Sequence, residues 1–301
     1  MIKNIFLPTH IGTYYLFSQK IVGIYIGKTS IQATFTRAQG NNIAIESSII
    51  EPIEQQKNHE GIIEALERIK KNVPKSAHIR TALSSAHVVF KELTLPFPSR
   101  SKIEKVIRFE VEPLLPFSIQ EAVVDFIITH RDQTSSRVLV AAVQKQYIVH
   151  HLSYFEQAEL PIQAITIDLF DVFGLYQQIP SYKQQEGLVV LADLGNQSSR
   201  LACIYNGQLR IIRSLAHGTN AIVKELAEKS DEPIQKTGEM LFRFGLSESD
   251  EKNYHNTKPI IQAFWKRIQF ALASISHQFP DAHIQHIYLF GAGAQIPKLP
   301  E

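Results

Sequence analysis

The chain has 301 residues, of which 44% are hydrophobic and 20% are charged, and its formal net charge at pH 7 is +2. This composition is typical of a soluble globular protein, and the length predicts two domains or lobes. The small net charge excludes a general electrostatic field for nucleic acid or anionic membrane. The single Cys203 excludes a disulfide framework and a cysteine zinc site. No apolar run reaches the ~20 residues that span a bilayer, and residues 1–17 lack a signal peptide pattern, which together predict a cytoplasmic location.

Predicted strands and helices alternate along the chain. Hydrophobic periodicity predicts strands from Lys20 to Ile49, with turns near 27–30 and 39–42. The next predicted elements are a helix over 58–72, strands over 79–83 and 88–95, a helix from Ser99 to before Pro113, strands over 123–129 and 138–143, a helix over 147–158, a strand over 163–167 and a helix over 169–178. A polar linker over 181–186 precedes a hairpin over 189–205, a strand over 209–215, helices over 219–228, 234–244 and 259–279, and a strand over 284–290. This alternation predicts an α/β architecture.

Two glycine-bearing turns resemble each other although they lie far apart in the chain. Residues 22–31 read VGIYIGKTSI, and residues 189–199 read VVLADLGNQSS. Each is an apolar strand, a small polar turn and a second strand, a hairpin whose exposed N–H groups and hydroxyls can hold a phosphate. A third turn, in residues 287–294 (IYLFGAGA), brings backbone close to a base or ribose. The pattern predicts two similar halves that face each other across a nucleotide.

These residues also allow other interpretations. A Walker A loop at 27–29 fails because the glycine spacing is wrong and a strand follows where a helix is required; a surface hairpin with a solvated Lys28 remains the alternative. Asp193 either positions a metal-bound water or phosphate, or accepts backbone N–H bonds in a turn. The twelve histidines form no convincing metal set, and no Ser/His/Asp arrangement can be proposed. No catalytic residue is therefore predicted.

On these turns the chain resembles the actin-like ATPase superfamily (actin, Hsp70, sugar kinases, FtsA). Within it the resemblance is to the PilM family of type IV pilus assembly proteins and to the cytoplasmic part of GspL of type II secretion. The family's first phosphate loop, G-I-D-I-G-S-x-S-[VI]-K, corresponds to GIYIGKTSIQ over 23–32, and its D-[IL]-G loop to DLGNQSS over 193–199. Its adenosine motif is similar to GAGAQIP over 291–297. More specific to PilM are LP, IRFEVE and LPF within 95–117, and the strand over 138–143.

The resemblance implies an actin-like ATPase fold with two lobes, each a mixed sheet flanked by helices. The first lobe is expected over 1–180, with an inserted small α+β subdomain over about 78–161, and the second over 181–301. The chain ends soon after the adenosine turn, where the family continues with another helix and strand, so its C-terminus is expected to be truncated or these elements to be lost.

The resemblance also implies binding of ATP with Mg2+, with Asp193 reaching the ion through its water shell. The implied nucleotide-binding residues are Gly27, Lys28, Thr29, Ser30, Asp193, Gly195, Asn196, Gln197, Ser198, Gly218, Gly291, Ala292 and Gly293. Gly218 precedes a predicted helix whose N-terminus is expected to bind an anion. Members that bind Mg-ATP carry Asp where this chain has Tyr25, which is neutral at pH 7. Hydrolysis is therefore not expected, and Tyr25→Asp is predicted to raise Mg-dependent ATP affinity.

The function implied by the resemblance is assembly. The expected protein is a cytoplasmic scaffold or adaptor of a type IV pilus or type II secretion platform, peripheral to the inner membrane through partners only. Its expected partners are other platform proteins and the tail of a bitopic PilN-like protein, held in a groove beside the inserted subdomain, with no nucleic acid. ATP would bias lobe closure. The alternatives are an active FtsA-like ATPase, against which Tyr25 argues, and a kinase or chaperone, for which an acceptor-site base or a substrate domain is lacking.

Overall fold

A computed structural model describes residues 10–11, 14–40, 42–54, 57, 59–179, 185–245 and 251–297. Their chain divides into two compact units. The first takes its described residues from Met1–Val89, Leu115–Val124 and Ala142–Val172, and the second from Phe90–Leu114, Asp125–Ala141 and Phe173–Glu301. The predicted lobe boundary at 180, and residues 181–184 of the predicted linker, lie outside the described residues.

The main sheet of the first unit combines an antiparallel meander with two parallel strands. The meander consists of β2 (Tyr14–Ile26), β3 (Ser30–Gly40) and β4 (Asn42–Pro52), with the short β1 (His10–Ile11) paired to β2. Next to β2 lie β5 (His78–Leu83) and then β9 (Ile162–Ile167), both parallel to it. The sheet order is β4-β3-β2-β5-β9.

Alternation of side chains along these strands creates one apolar face. Val22, Ile24 and Ile31 lie in the buried core of this unit together with Leu66 and Phe155. The last two residues belong to helices α1 (His59–Lys70) and α3 (Lys145–Gln157). Since side chains alternate between faces, the odd-numbered positions of β2 are left on the opposite face.

The main sheet of the second unit has the same plan with one parallel strand fewer. β10 (Leu188–Leu194), β11 (Ser199–Tyr205) and β12 (Gln208–Leu215) form the meander, and β13 (Ile284–Phe290) pairs parallel to β10. The apolar run of β10 is typical of a strand covered on both faces. One face packs in a core with α5 (Thr219–Ser230), α6 (Ile234–Phe244) and α7 (Glu251–Ser276).

A third sheet lies within the predicted insertion. It consists of β6 (Val88–Leu95), β7 (Ala122–Arg131) and β8 (Ser136–Gln144) in the order β6-β8-β7. Helix α2 (Arg100–Val111) follows β6, and α4 (Asp168–Gln178) follows β9. The two ends of the predicted 78–161 segment belong elsewhere, since β5 pairs in the first main sheet and α3 packs in its core.

Most described elements agree with the predicted ones within a few residues, but β1 was not predicted and β2 begins at Tyr14, six residues before the predicted start at Lys20. The last helix also differs. The last helix was predicted over 259–279, but α7 begins at Glu251, contains Pro259 and ends at Ser276. Proline is favoured in the first helical turn, which is why Pro259 was interpreted as a start. In a helix interior proline costs about 3 kcal/mol, because one hydrogen bond is lost and the ring clashes with the carbonyl four residues earlier.

Among the described residues, no helix is both long enough and apolar enough to cross a membrane.

Candidate functional site

The first glycine turn joins β2 to β3 and is closed by a backbone hydrogen bond. The N–H of Gly27 donates to the Ser30 carbonyl at 3.0 Å, and a Cβ at Gly27 would lie only 2.8 Å from that oxygen. The N–H of Ile53 donates to the Thr29 carbonyl at 2.8 Å, which anchors the tip to the end of β4. Lys28 and Thr29 are exposed at the tip. Glycine is therefore required at position 27 by the tightness of the turn.

The second glycine turn, between β10 and β11, has the same close approach of glycine to a carbonyl. A Cβ at Gly195 would lie 2.7 Å from the Ser198 carbonyl, again three residues further along the chain. Asn196 is half-buried and Gln197 is exposed. The likeness of the two turns in sequence thus extends to their geometry.

The start of α5 is packed directly on this second loop. The N–H groups of Thr219 and Asn220 donate to the carbonyls of Gly195 and Asn196 at 3.0 and 2.8 Å. The Thr219 hydroxyl donates to the Asn196 side-chain oxygen at 3.0 Å. A Cβ at Gly218 would overlap both loop carbonyls. These two helix amides, expected from sequence to face an anion, are therefore engaged by the loop itself.

The final glycine turn reaches the same place. Gly291 follows β13, has φ +84°, and a Cβ there would overlap Asp193 Oδ1. A Cβ at Gly293 would lie 2.7 Å from Leu194 Cβ and 2.9 Å from Thr219 Cγ2. Ala292 begins the short 3₁₀ turn Ala292–Gln295. The structure thus brings together the second loop, the α5 start and the glycine turn, which the sequence placed almost 100 residues apart.

Asp193 is paired with an arginine that sequence reasoning missed. The register places Asp193 directly opposite Arg200, and Arg200 Nη1 lies 3.3 Å from Asp193 Oδ2. Arg200 Nη2 donates to Ser198 Oγ at 2.8 Å. Arg200 is only 4% exposed, and its buried Nε has no hydrogen-bond partner among the described residues. The pairing could have been found by counting outward from the turn, because hairpin register follows from loop length.

The donor set of this loop does not fit the Mg2+ that the fold family implies. Mg2+ is bound through carboxylate and water oxygens, and the only carboxylate between 193 and 199 is already paired with a buried guanidinium. Across the described parts of the chain, no group of three or more His, Cys, Asp and Glu side chains could hold a metal ion. Tyr25 supplies no carboxylate in the first loop.

In the first unit, the sheet face opposite the core borders a pocket of about 470 Å³. Gly23 forms part of its floor, where nothing lies within 4 Å of a Cβ position. Thr34 and Arg80 stand on the neighbouring strands, on either side of Gly23. Tyr25 lines the same pocket. Sequence reasoning identified only Tyr25 here, because strand pairing alone makes the other residues neighbours.

Asp171, from α4, is the acidic residue of this pocket. Desolvation, helped by the nearby Asp168 carboxylate, raises its pKa to about 6. A hydrogen bond from Thr166 and the charge of Arg80 act in the opposite direction. The pocket therefore combines a permanent cation with a carboxyl group that titrates near neutral pH.

Comparisons with known proteins agree with this architecture. A family model described as type IV pilus assembly protein PilM matches residues 23–301. A solved PilM–PilN type IV pilus biogenesis complex is similar over 93% of this chain and 83% of that chain, with a TM-score of 0.76 and 19% sequence identity. At that identity the likeness shows the fold alone.

Weaker structural likenesses have TM-scores below 0.5 and carry no argument. The cytoplasmic domain of EpsL, an inner-membrane component of the type II secretion system of Vibrio cholerae, gives 0.44 at 9% identity over 71% of this chain and 78% of that chain. Ethanolamine utilization protein EutJ from Carboxydothermus hydrogenoformans gives 0.48 at 10% identity over 92% and 80%. No curated protein sequence matches the chain.

Proposed function

The chain belongs to the PilM family of type IV pilus assembly proteins and has the actin-like ATPase fold, and from this membership we propose that it is a cytoplasmic scaffold of the pilus assembly platform. In this role it binds the cytoplasmic tail of a bitopic PilN-like partner and is held at the inner membrane through its partners. The observation that carries the proposal is the family match over residues 23–301.

The described structure offers an anchor for such a tail on α2 and the turn after it. One face of α2 carries the buried side chains of Ile103, Ile107 and Val111. Phe109, inside the PilM-like IRFEVE motif, is 74% exposed, and Leu114 is 41% exposed. A few residues carry most of the binding energy of an interface, and exposed apolar side chains that lie close together can mark such a site. We propose that Phe109 and Leu114 contact apolar side chains of the tail.

The test is a fluorescence polarisation titration with a labelled peptide that covers the N-terminal cytoplasmic tail of a PilN-like protein. Phe109→Ala is expected to weaken binding by about tenfold or more, because an anchor residue is truncated. Phe270→Ala is the matched control, since Phe270 is a comparably exposed phenylalanine on α7. Its affinity is expected to equal that of the wild type.

Absence of peptide binding to the wild type would contradict the proposed partner. Equal losses in the two phenylalanine variants would contradict the proposed surface but not the partner.

We also propose that ATP binds at the loops of the second unit and acts by shifting populations rather than by turnover. Three predicted segments converge there, and their glycines allow close approach of backbone. The expected result is a peptide affinity that changes on addition of ATP, with no phosphate release above background. Phosphate release at a steady rate, lost in the Gly195→Val variant, would favour an active ATPase instead.

A further inference from the structure

We infer that the second glycine loop binds the polyphosphate of a nucleotide without magnesium, because buried Arg200 neutralises Asp193 from within the protein. The inference rests on the proposed nucleotide binding and specifies how that binding is achieved. A loop carboxylate repels a polyphosphate unless a cation lies between or beside them. In this chain the cation is the guanidinium of Arg200, which lies on strand β11.

The pairing is fixed by the backbone. Asp193 and Arg200 are directly opposite each other in the β10–β11 ladder. On the same strands, Leu194 pairs with Ser199 and Ala192 with Leu201, and all four of these residues are fully buried. The backbone register therefore keeps Arg200 opposite Asp193, because a shift by one residue would move these buried residues to the other face.

Both oxygens of the Asp193 carboxylate are enclosed. Oδ2 faces Arg200 Nη1 at 3.3 Å, while Oδ1 lies against the Gly291 backbone, so closely that a Cβ at 291 would overlap it. The Asp193 side chain is 17% exposed. Mg2+ usually keeps several of its waters, and a carboxylate with these two close neighbours offers little room for a hydrated ion.

Displacing the arginine would also be costly. Arg200 has one guanidinium nitrogen on Asp193, one on Ser198 Oγ and a buried Nε with no hydrogen-bond partner in the part of the chain that the structure describes. If an ion took over the carboxylate, the guanidinium would be left buried and largely unpaired, which is strongly unfavourable. Mg2+ would have to compete against this penalty as well as against its own dehydration.

Calorimetric titration of the purified chain with ATP, once with excess MgCl2 and once with EDTA, tests the inference. The dissociation constants are expected to agree within about twofold. A tenfold or greater loss of affinity in EDTA would overturn the inference while leaving nucleotide binding intact. No heat of ATP binding under either condition would overturn the proposed nucleotide binding, and the inference with it.

Substitutions at Asp193 and Arg200 separate the effect of charge on ATP affinity from the effect of a change in structure. Asp193→Asn is close in shape and removes the negative charge, so ATP affinity in EDTA is expected to rise severalfold. A tenfold fall in that variant would overturn the inference, because it would show that the carboxylate itself is needed.

Arg200→Gln is expected to weaken ATP binding in EDTA by about tenfold, and Arg200→Lys to restore most of it. Arg210→Gln is the matched control, because Arg210 lies on β12 of the same sheet and donates to the Thr129 carbonyl instead. Thermal midpoints of all variants report on folding. If the Arg200→Gln variant unfolds, the titration of the Asp193→Asn variant alone tests the inference.

Discussion

Close contacts between backbones account for the glycines that carry the candidate loops. Gly27 and Gly195 each sit where a side chain would meet the carbonyl three residues later. Gly218 sits where a helix start meets the second loop, and Gly291 where the last turn meets Asp193. Only Gly291 among these four has a positive φ. For the others, lack of space rather than backbone conformation is the reason for glycine.

Gly218→Ala is expected to lower the free energy of unfolding by about 1–3 kcal/mol, because its Cβ would overlap the Gly195 and Asn196 carbonyls and force the loop to move. Urea denaturation followed by circular dichroism measures the change. Gly23→Ala is the control, since its Cβ would meet nothing within 4 Å. That variant is expected to be neutral or to stabilise by up to about 1 kcal/mol, because glycine weakens a strand. Equal destabilisation by both substitutions would show that the overlap at Gly218 is not the cause of the lost stability.

At the level of elements, helix α3 is tied to β5 by a polar contact within an apolar layer. The Thr81 hydroxyl donates to the Ile24 carbonyl at 2.9 Å and lies 2.8 Å from His151 Nε2. Since the hydroxyl hydrogen is used, the Thr81 oxygen accepts from a neutral His151 protonated on Nε2. Burial, with a smaller contribution from His150, lowers the pKa of His151 to about 4.

This shift makes the attachment of α3 sensitive to acid. A histidine whose pKa is lowered by folding stabilises the folded state above the unfolded pKa of about 6.5, and that stability is lost as the pH falls through about 4. His151→Gln is expected to lose less stability than the wild type between pH 7 and pH 4, by about 2–3 kcal/mol. Urea midpoints at several pH values measure the difference. His130→Gln, at an exposed position, should follow the wild-type curve, and parallel curves for all three proteins would contradict the prediction.

Element boundaries followed from local patterns wherever those patterns were strong. The apolar run of β10, the alternation in β6 and the amphipathic α2 were all identified from sequence, because burial imposes a period of 2.0 or 3.6 residues. The start of α7 was not, because proline is favoured in a first turn and disfavoured in a helix interior, where Pro259 nevertheless lies. Periodicity cannot separate these two cases.

For the molecule as a whole, the repeated sheet plan explains why the two glycine loops look alike. In both main sheets, the loop joins the first two strands of an antiparallel meander, and a parallel strand lies on the other side of the first strand. The sequence resemblance to the actin-like superfamily rested on these loops. The family match over 23–301 confirms the PilM family, and the likeness to the solved PilM–PilN complex at a TM-score of 0.76 shows a common fold.

The lack of a carboxylate at Tyr25 in the first loop is matched by a paired carboxylate, Asp193, in the second loop. From the resemblance alone, Tyr25→Asp was predicted to raise Mg-dependent ATP affinity. With Asp193 paired to Arg200, we expect Tyr25→Asp alone to leave ATP affinity in MgCl2 and in EDTA within about twofold of each other, because the second loop still lacks an open carboxylate. Calorimetry on the variant measures this. A strong gain in affinity with MgCl2 only would show that Tyr25 alone disables ion binding.

The sequence by itself determined the order of strands and helices, the two matching loops and the family. Each of these depends on residues close together in the chain or on a short motif such as IRFEVE. Only the tertiary structure decided that Gly218 and Gly291 close on the second loop, that Arg200 pairs with Asp193 and that Arg80 and Asp171 line one pocket. The physical reason is that strand pairing and helix docking create these neighbours, and residue spacing along the chain carries no measure of the distance between them in the fold.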